Sequence, residues 1–250
     1  MKRLLKAVLL CAGTGSRAWP LTLSKPKCLL ELHGKPLLWY SLSHLISVGV
    51  EDFCFILGFE GRQIKKFVKT YFPQIQATFI NNAKFSQTNS IYSYYLSIPY
   101  FLQSNFFRLD SDLIFTKNIL SLLVSSRQTP VCAVQKKAKT EGEASTVAAD
   151  YSGRILRFNT NIPVSKAYGE AKGIEFISAK SSPNVAHALR QMIKRNAINE
   201  YAEQSYQYMI DNGGTIYYKQ LKINDFWCDV DRPTDFIFAK KNLHRLYESK

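Results

Sequence analysis

Residues 4–17 contain the stretch that decides the fold, LLKAVLLCAGTGSR. An apolar run at residues 4–10 leads directly into a glycine-rich loop. Such a run is typical of a strand buried on both faces of a parallel sheet, because its side chains meet the core in both directions. The run also resembles the start of a secretion signal, but Lys6 interrupts it and leaves too short an apolar core. We therefore predict a buried first strand.

Strand and helix patterns alternate through the first half of the chain. This alternation predicts an α/β fold with a Rossmann-like, mostly parallel sheet, helices on both faces, and ligands at the carboxyl ends of the strands. The predicted strands are residues 4–10, 52–57, 77–80 and 106–109, and the predicted helices are 36–48, 61–72 and 89–96.

The pattern changes from residue 130 to shorter strands. The predicted strands are 131–135, 145–149, 154–158, 173–177 and 215–220, and the predicted helices are 184–195, 199–211 and one starting near Pro233. No linker or internal repeat divides the chain, so we predict one domain.

The composition disfavours several classes of protein. The net charge is +14, but the basic residues are dispersed, which favours a surface that attracts anionic substrates over one that binds nucleic acid. The five cysteines form no C-x-x-C pair and the four histidines have no metal-ligand spacing. No segment approaches the ~18 apolar residues of a membrane span. We predict a cytoplasmic protein without membrane insertion or nucleic-acid binding; a homodimer is one candidate for its oligomeric state.

The loop after the first strand suits a phosphate-bearing ligand. Gly13 and Gly15 let backbone N–H groups approach phosphates closely, and Arg17 adds a cationic fork. The spacing also matches the start of a dinucleotide fingerprint, but Pro20 and Pro26 keep the chain in a loop where that fingerprint opens a helix. A P-loop is excluded because no Gly-Lys-Ser/Thr follows.

A long basic loop can wrap a triphosphate whose α-phosphorus is attacked. Lys27 would neutralise the charge that develops as pyrophosphate leaves, and Lys25 is the nearest rival for this task. The alternative is a solvated basic turn without a catalytic role.

Two pairs of carboxylates follow apolar strands far apart in the sequence, Asp110 with Asp112 and Asp229 with Asp231. Mg²⁺ takes one or two carboxylates together with phosphate oxygens, so one aspartate from each pair would suffice. We expect Asp112 and Asp231 to be the metal ligands. Asp110 and Asp229 are secondary candidates, because helix capping explains them equally well.

Several ordered motifs resemble the signature of the sugar-nucleotidyltransferase superfamily. They are residues 10–17 (LCAGTGSR), 20–22 (PLT), 25–27 (KPK) and 34–36 (GKP). Residues 89–96 (NSIYSYYL) resemble a segment of the LicC-like cytidylyltransferases, which make CDP-choline and related CDP-activated head groups. Residues 226–231 (FWCDVD), with Pro233 and Asp235, resemble the closing metal motif of those enzymes.

The resemblance implies a nucleotidyltransferase (GT-A-like) fold in a single domain over residues 1–250. A nucleotide-binding half would extend to about residue 129, and the half from about residue 130 would complete the metal site and contain a small acceptor-binding subdomain. It also implies that Asp112 and Asp231 hold Mg²⁺, and that Lys27 and Arg17 are catalytic. The residues implied to bind the nucleotide are Leu10, Ala12, Gly13, Gly15, Arg17, Lys27, Asn89 and Ser90. Glu170 and Glu203 look like acceptor-side elements, although surface positions on a strand and a helix explain them equally well.

The reaction implied is transfer of CMP from CTP to a phosphorylated or phosphonylated acceptor, with release of pyrophosphate. A sugar-1-phosphate nucleotidyltransferase that uses UTP, GTP or dTTP is the alternative, and an NAD-binding oxidoreductase is more remote. Residues 135–143, where an acceptor loop is expected, contain no aromatic residue to hold a choline group by cation–π attraction. This lowers phosphocholine among the candidate acceptors and leaves aminoethylphosphonate, inositol phosphate, a phosphorylated amino acid or a sugar phosphate.

Overall fold

The computed structural model describes residues 4–136, 146–159 and 162–247. Its strands are β1 (Leu5–Cys11), β2 (Glu31–Leu32), β3 (Lys35–Pro36), β4 (Val50–Leu57), β5 (Gln76–Asn81), β6 (Asn105–Asp110), β7 (Leu113–Phe115), β8 (Val131–Lys136), β9 (Thr146–Ala149), β10 (Arg154–Asn159), β11 (Gly169–Ile177), β12 (Ile216–Gln220) and β13 (Trp227–Asp229). Its helices are α1 (Leu37–Ser47), α2 (Gly61–Tyr71), α3 (Ser90–Leu96), α4 (Ile98–Phe101), α5 (Asn118–Val124), α6 (Ser182–Lys194), α7 (Gln204–Asp211) and α8 (Pro233–Asn242).

One mixed sheet organises the described residues, with the strand order β5-β4-β1-β6-β11-β8-β12-β10-β9. The four strands β5, β4, β1 and β6 are parallel. Strand β11 runs antiparallel to β6 and β8, and β10 runs antiparallel to β12. Strand β9 pairs with both β10 and β11, so the second half of the sheet curls back on itself. The α/β fold with a mostly parallel, mixed sheet is confirmed.

The apolar run of β1 lies between two cores. Ala7, Leu9 and Cys11 face one core together with side chains of α1, α2 and α5. Val8 and Leu10 face the other core together with side chains of α3, α4, α6 and α7. Because residues of a strand alternate between its faces, a strand covered on both sides must be apolar at nearly every position.

A smaller third core forms around α8. It joins α8 to the start of α1 and to the two-stranded pair β7–β13. Leu37 and Tyr40 contribute from α1, and Ala239 contributes from α8. This core fixes the chain after β13 against the loop that follows β1. Within the described ranges, no helix is both long and apolar enough to cross a membrane.

Strand β11 and helix α7 differ from the sequence prediction. Strand β11 begins at Gly169 rather than at residue 173, because an irregularity between Ala171 and Glu175 splits its apolar pattern. Helix α7 begins at Gln204 rather than at residue 199. The preceding segment is paired elsewhere, since the carbonyl groups of Ile198 and Glu200 accept hydrogen bonds from the start of α3. The β7–β13 pair and α5 were not predicted.

Candidate active site

The loop after β1 folds back on itself around Gly15. Gly15 has a φ of +65°, and a Cβ there would lie 3.0 Å from Cβ of Lys27. The hydroxyl of Thr22 donates a hydrogen bond to the Gly15 carbonyl at 2.8 Å. Glycine is therefore required at this position both by its left-handed backbone and by the close approach of the returning chain. This return brings Lys27 beside the glycine-rich segment.

The start of the same loop is held by the end of β4. The N–H of Phe59 donates to the Ala12 carbonyl at 3.1 Å, and a Cβ on Gly58 would lie 2.4 Å from that oxygen. Leu10 and Ala12 are buried, whereas a Cβ on Gly13 would meet nothing within 4 Å. The backbone next to Gly13 therefore has open space for a ligand, as a phosphate-binding loop needs.

Three aspartates from the two distant pairs converge at the carboxyl end of the sheet. One oxygen each from Asp112, Asp229 and Asp231 lies within 4.8 Å of the others. The β7–β13 pair brings them together, because Leu113 is paired with Asp229 and the N–H of Val230 donates to the Asp112 carbonyl at 3.2 Å. The two expected metal ligands thus lie side by side, and Asp229 joins them.

Two cations from the glycine-rich loop contact this aspartate cluster. Lys27 Nζ lies 2.5 Å from Asp112 Oδ2 and also contacts Asp231 Oδ1. Arg17 Nη2 lies 3.0 Å from both carboxylate oxygens of Asp231. Burial by itself would lower the pKa of Lys27, but the neighbouring carboxylates outweigh it and raise that pKa, so Lys27 stays protonated at neutral pH.

The aspartates differ in how well they are satisfied. Oδ1 of Asp229 is buried and has no hydrogen-bond partner. Burial, together with the charge of Asp112, raises the pKa of Asp229 well above its usual value. For Asp231 burial acts in the same direction, but the charge of Lys27 prevails and lowers the pKa. Three oxygen ligands with one buried oxygen unsatisfied fit a hard divalent cation such as Mg²⁺.

Comparison with known proteins identifies the family. Residues 6–245 match the nucleotidyl transferase family. The chain belongs to this family. CTP:phosphoglutamine cytidylyltransferase from Campylobacter jejuni is 23% identical over 92% of this chain and 97% of its own length. Three other curated relatives are longer proteins, of which the chain covers 54%, 37% and 51%.

Solved structures show that the nucleotidyl transferase fold extends over nearly the whole chain. CTP:phosphocholine cytidylyltransferase (LicC) from Streptococcus pneumoniae has a TM-score of 0.78 at 20% identity, over 96% of this chain and 99% of that one. UDP-glucose pyrophosphorylase in complex with UDP-glucose has a TM-score of 0.80 at 14% identity, over 97% and 99%. At these identities, the similarity concerns the fold.

In this nucleotidyl transferase, Asp110 lies outside the aspartate cluster. Its Oδ1 accepts a hydrogen bond from Arg108 Nη2 at 2.8 Å. Neither Asp110 nor Asp229 caps a helix, since α5 and α8 begin after Lys117 and Arg232. The capping alternative is therefore wrong for both aspartates.

Asn89 and Ser90 lie at the start of α3, where they are tied to the segment before α7. The Asn89 side chain accepts a hydrogen bond from the Ser90 N–H, and the Ser90 hydroxyl accepts one from the Ala202 N–H at 2.9 Å. The Asn89 N–H donates to the Ile198 carbonyl at 2.9 Å. These contacts fix the backbone of the segment predicted to lie near the base and ribose.

The two predicted acceptor-side glutamates are both buried rather than on the surface. Glu170 pairs with Lys172 at 2.7 Å, and the ammonium of Lys172 lies 3.9 Å from the ring centre of Trp227. Glu203 pairs with the fully buried Arg108 at 3.0 Å. The alternative of exposed positions is thus wrong. Residues 137–143 of the predicted acceptor loop lie outside the described residues.

Arg108 forms the centre of an ion network that the sequence did not predict. It contacts Glu175, Glu203 and Asp110. Burial raises the pKa of Glu175 to about 8 against the opposing charge of Arg108. The network joins β6, β11 and the segment that supports Asn89.

Asp235 is a second residue whose position relative to the cluster the sequence did not predict. Its Oδ2 accepts hydrogen bonds from the N–H groups of Asp231 at 3.1 Å and of Arg232 at 2.7 Å. Asp235 therefore fixes the backbone that carries Asp231 while it caps α8. Lys25, the rival of Lys27, is directed elsewhere and pairs with Glu31 at 3.3 Å.

Proposed function

We propose that this protein is a magnesium-dependent cytidylyltransferase. It transfers CMP from CTP to a phosphorylated or phosphonylated small molecule and releases pyrophosphate. The observation that carries the proposal is the convergence of Lys27 and Arg17 with the aspartate cluster beside the glycine-rich loop. Two cations and a metal-ligand set at one point suit an enzyme that handles a triphosphate.

The choice of CTP is supported by the relatives. CTP:phosphoglutamine cytidylyltransferase covers the chain almost from end to end, and CTP:phosphocholine cytidylyltransferase shares its fold. The start of α3 resembles the corresponding segment of the LicC-like enzymes, and it is hydrogen-bonded to residues 198–202. We assign Asn89 and Ser90 to the side of the base and ribose.

The reaction is an in-line displacement at the α-phosphorus. An oxygen of the acceptor phosphate or phosphonate attacks, its bond to phosphorus forms, and the bond to the pyrophosphate oxygen breaks. The attacking oxygen is already anionic, so no general base is needed. Catalysis then consists of positioning the two anions and neutralising their charge.

Different residues position the substrates and neutralise their charge. Leu10, Ala12, Gly13 and Gly15 shape the backbone that cradles the nucleotide. Lys27 and Arg17 stabilise the negative charge of the leaving pyrophosphate. Magnesium, when held by Asp112, Asp229 and Asp231, would supply Lewis-acid neutralisation of phosphate oxygens. The acceptor binds on the side of β11, where Glu170 and Glu203 lie.

The substrate proposal is tested by measuring pyrophosphate release with Mg²⁺. CTP, UTP, GTP, ATP and dTTP are each paired with phosphocholine, aminoethylphosphonate, inositol phosphate, phosphoglutamine and glucose 1-phosphate. We expect release with CTP and one acceptor class. Release with UTP, GTP or dTTP and glucose 1-phosphate, but not with CTP, would identify a sugar-1-phosphate nucleotidyltransferase instead.

The residue assignment is tested with single variants at the productive substrate pair. Lys27→Ala and Asp112→Ala should each lower kcat by at least about 100-fold, because each removes a charge from the reacting centre. Lys25→Ala is the matched control, since it removes an exposed lysine from the same loop and should leave kcat unchanged. Near-normal turnover by Lys27→Ala or Asp112→Ala, with far-ultraviolet circular dichroism unchanged, would contradict the assignment.

A further inference from the structure

Lys27 contacts the same carboxylates that form the metal site. Its ammonium is bonded to Asp112 and to Asp231, and its side chain is only 13% exposed. Arg17 engages both oxygens of Asp231. A divalent cation held by this cluster needs oxygens that these two side chains already occupy.

The third aspartate shows that the lysine does not satisfy the whole cluster. Asp229 Oδ1 is buried and unpartnered, although it lies within 4.8 Å of the ligand oxygens of Asp112 and Asp231. One ammonium group bonded to two carboxylates leaves the third unsatisfied. A divalent cation bonded to all three would satisfy it, but its charge would repel an ammonium left in the same place.

We propose that Lys27 and the divalent cation compete for the carboxylates of Asp112 and Asp231, and that the nucleotide relieves this competition. Resting on the proposed function, the inference extends it: the triphosphate draws Lys27, and Arg17 with it, away from the aspartates and frees the oxygens for the metal. Metal and nucleotide then bind with positive coupling. The coupling is reciprocal, so each strengthens the binding of the other by the same factor.

The competition also gives Lys27 a role in metal binding, before the chemical step of the reaction. With the lysine bonded to the aspartates, the protein alone holds metal weakly, and the complete site forms only when the triphosphate is present. A lysine that merely neutralised the leaving group would not affect metal binding in this way.

The test measures Mn²⁺ binding to the full chain by electron paramagnetic resonance of free Mn²⁺. The proteins are wild type, Lys27→Met, Lys25→Met and Arg17→Met, each without nucleotide and with saturating non-hydrolysable analogues of CTP or UTP. In wild type, the better analogue should tighten Mn²⁺ binding by about tenfold or more. Without nucleotide, Lys27→Met should bind Mn²⁺ about tenfold more tightly than wild type. The analogue should tighten Mn²⁺ binding by a smaller factor in Lys27→Met than in wild type, because its phosphate oxygens still bind the metal but no lysine remains to be displaced. Lys25→Met should match wild type.

Arg17→Met distinguishes the effect of direct contact with the carboxylates from the effect of losing one positive charge on the affinity for Mn²⁺. It removes the same unit charge but leaves Lys27 in contact with both Asp112 and Asp231, so it should tighten Mn²⁺ binding less than Lys27→Met. Equal tightening in the two variants would overturn the competition at Asp112, as would Mn²⁺ binding by Lys27→Met no tighter than in wild type. Lys27→Gln, which keeps a polar side chain, serves if Lys27→Met does not fold. The measurements without nucleotide do not depend on which NTP is the substrate. The competition can therefore be confirmed even if the CTP proposal is wrong.

Discussion

Replacing Gly173 by alanine should destabilise the protein more than its backbone geometry alone explains. Gly173 has a φ of +64°, and a Cβ there would lie 2.4 Å from Asp110 Oδ2. The carboxylate must therefore move, and we expect its Oδ1 to lose the 2.8 Å hydrogen bond that it accepts from the buried Arg108. Because Nε of Arg108 already lacks a partner, the guanidinium would be left poorly satisfied.

Gly153 provides a matched control. Its φ is +87°, but a Cβ there would meet nothing within 4 Å. Gly153→Ala should therefore cost about 1–2 kcal/mol, the usual cost of a left-handed backbone for an L-residue. Gly173→Ala should cost about 2.5–5 kcal/mol, because a hydrogen bond to a charged group contributes a further ~1.5–3 kcal/mol.

Thermal unfolding measures the difference. A gap of ~1.5–3 kcal/mol between the two variants corresponds to a Tm difference of about 3–12 °C in a domain of this size. In an Asp110→Ala background, Gly173→Ala should cost no more than Gly153→Ala, because the clashing carboxylate is gone. Equal Tm values for Gly173→Ala and Gly153→Ala in the wild-type background would refute the argument.

Two further predictions concern the metal site and acid stability. Asp235→Ala should raise the Mg²⁺ concentration needed for half-maximal activity by about 10-fold or more, because it removes the hydrogen bond that holds the backbone of Asp231. Asp235→Asn should raise that concentration less, because its amide oxygen can still accept this hydrogen bond. An unchanged Mg²⁺ requirement in Asp235→Ala would count against this role of Asp235. Burial lowers the pKa of His44 to about 4 from 6.5, so its contribution to stability is present above about pH 6.5 and is lost as the pH falls towards 4. Urea unfolding should show that wild type loses about 1–2 kcal/mol more stability than His44→Gln between pH 7 and pH 5. Equal losses in wild type and His44→Gln would contradict the assignment.

Local patterns were sufficient to predict most of the fold from the sequence. Three of these patterns depend on neighbouring residues alone: the apolar run of β1, the amphipathic pattern of α2 and the change to shorter strands near residue 130. Strand β11 was predicted only in part, because Gly173 interrupts its pattern to make room for Asp110, a residue from another strand. Helix α7 was predicted too long, because the segment before it bonds to α3 rather than continuing the helix.

The candidate site was predictable where a motif contains the residue itself. Asp112, Asp231 and Lys27 were chosen from their motifs, and the structure brings them together. Helix capping was the wrong explanation of Asp229, because the β7–β13 pairing places this residue in the aspartate cluster. That pairing is a long-range contact, which local sequence patterns do not predict. Arg108 in the apolar strand β6 needs a buried partner, but the sequence offers 19 acidic residues and no local reason to choose Glu175 or Glu203.

The position of the labelled phosphorus after the reaction tests the central claim most directly. The enzyme is incubated with Mg²⁺ and the acceptor found in the substrate panel, once with CTP labelled at the α-phosphorus and once with CTP labelled at the γ-phosphorus. Attack at the α-phosphorus predicts that the α-label appears in a product that also contains the acceptor, and that the γ-label appears in pyrophosphate. Transfer of the γ-label to the acceptor, or its release as inorganic phosphate with CDP as the other product, would contradict the proposed reaction.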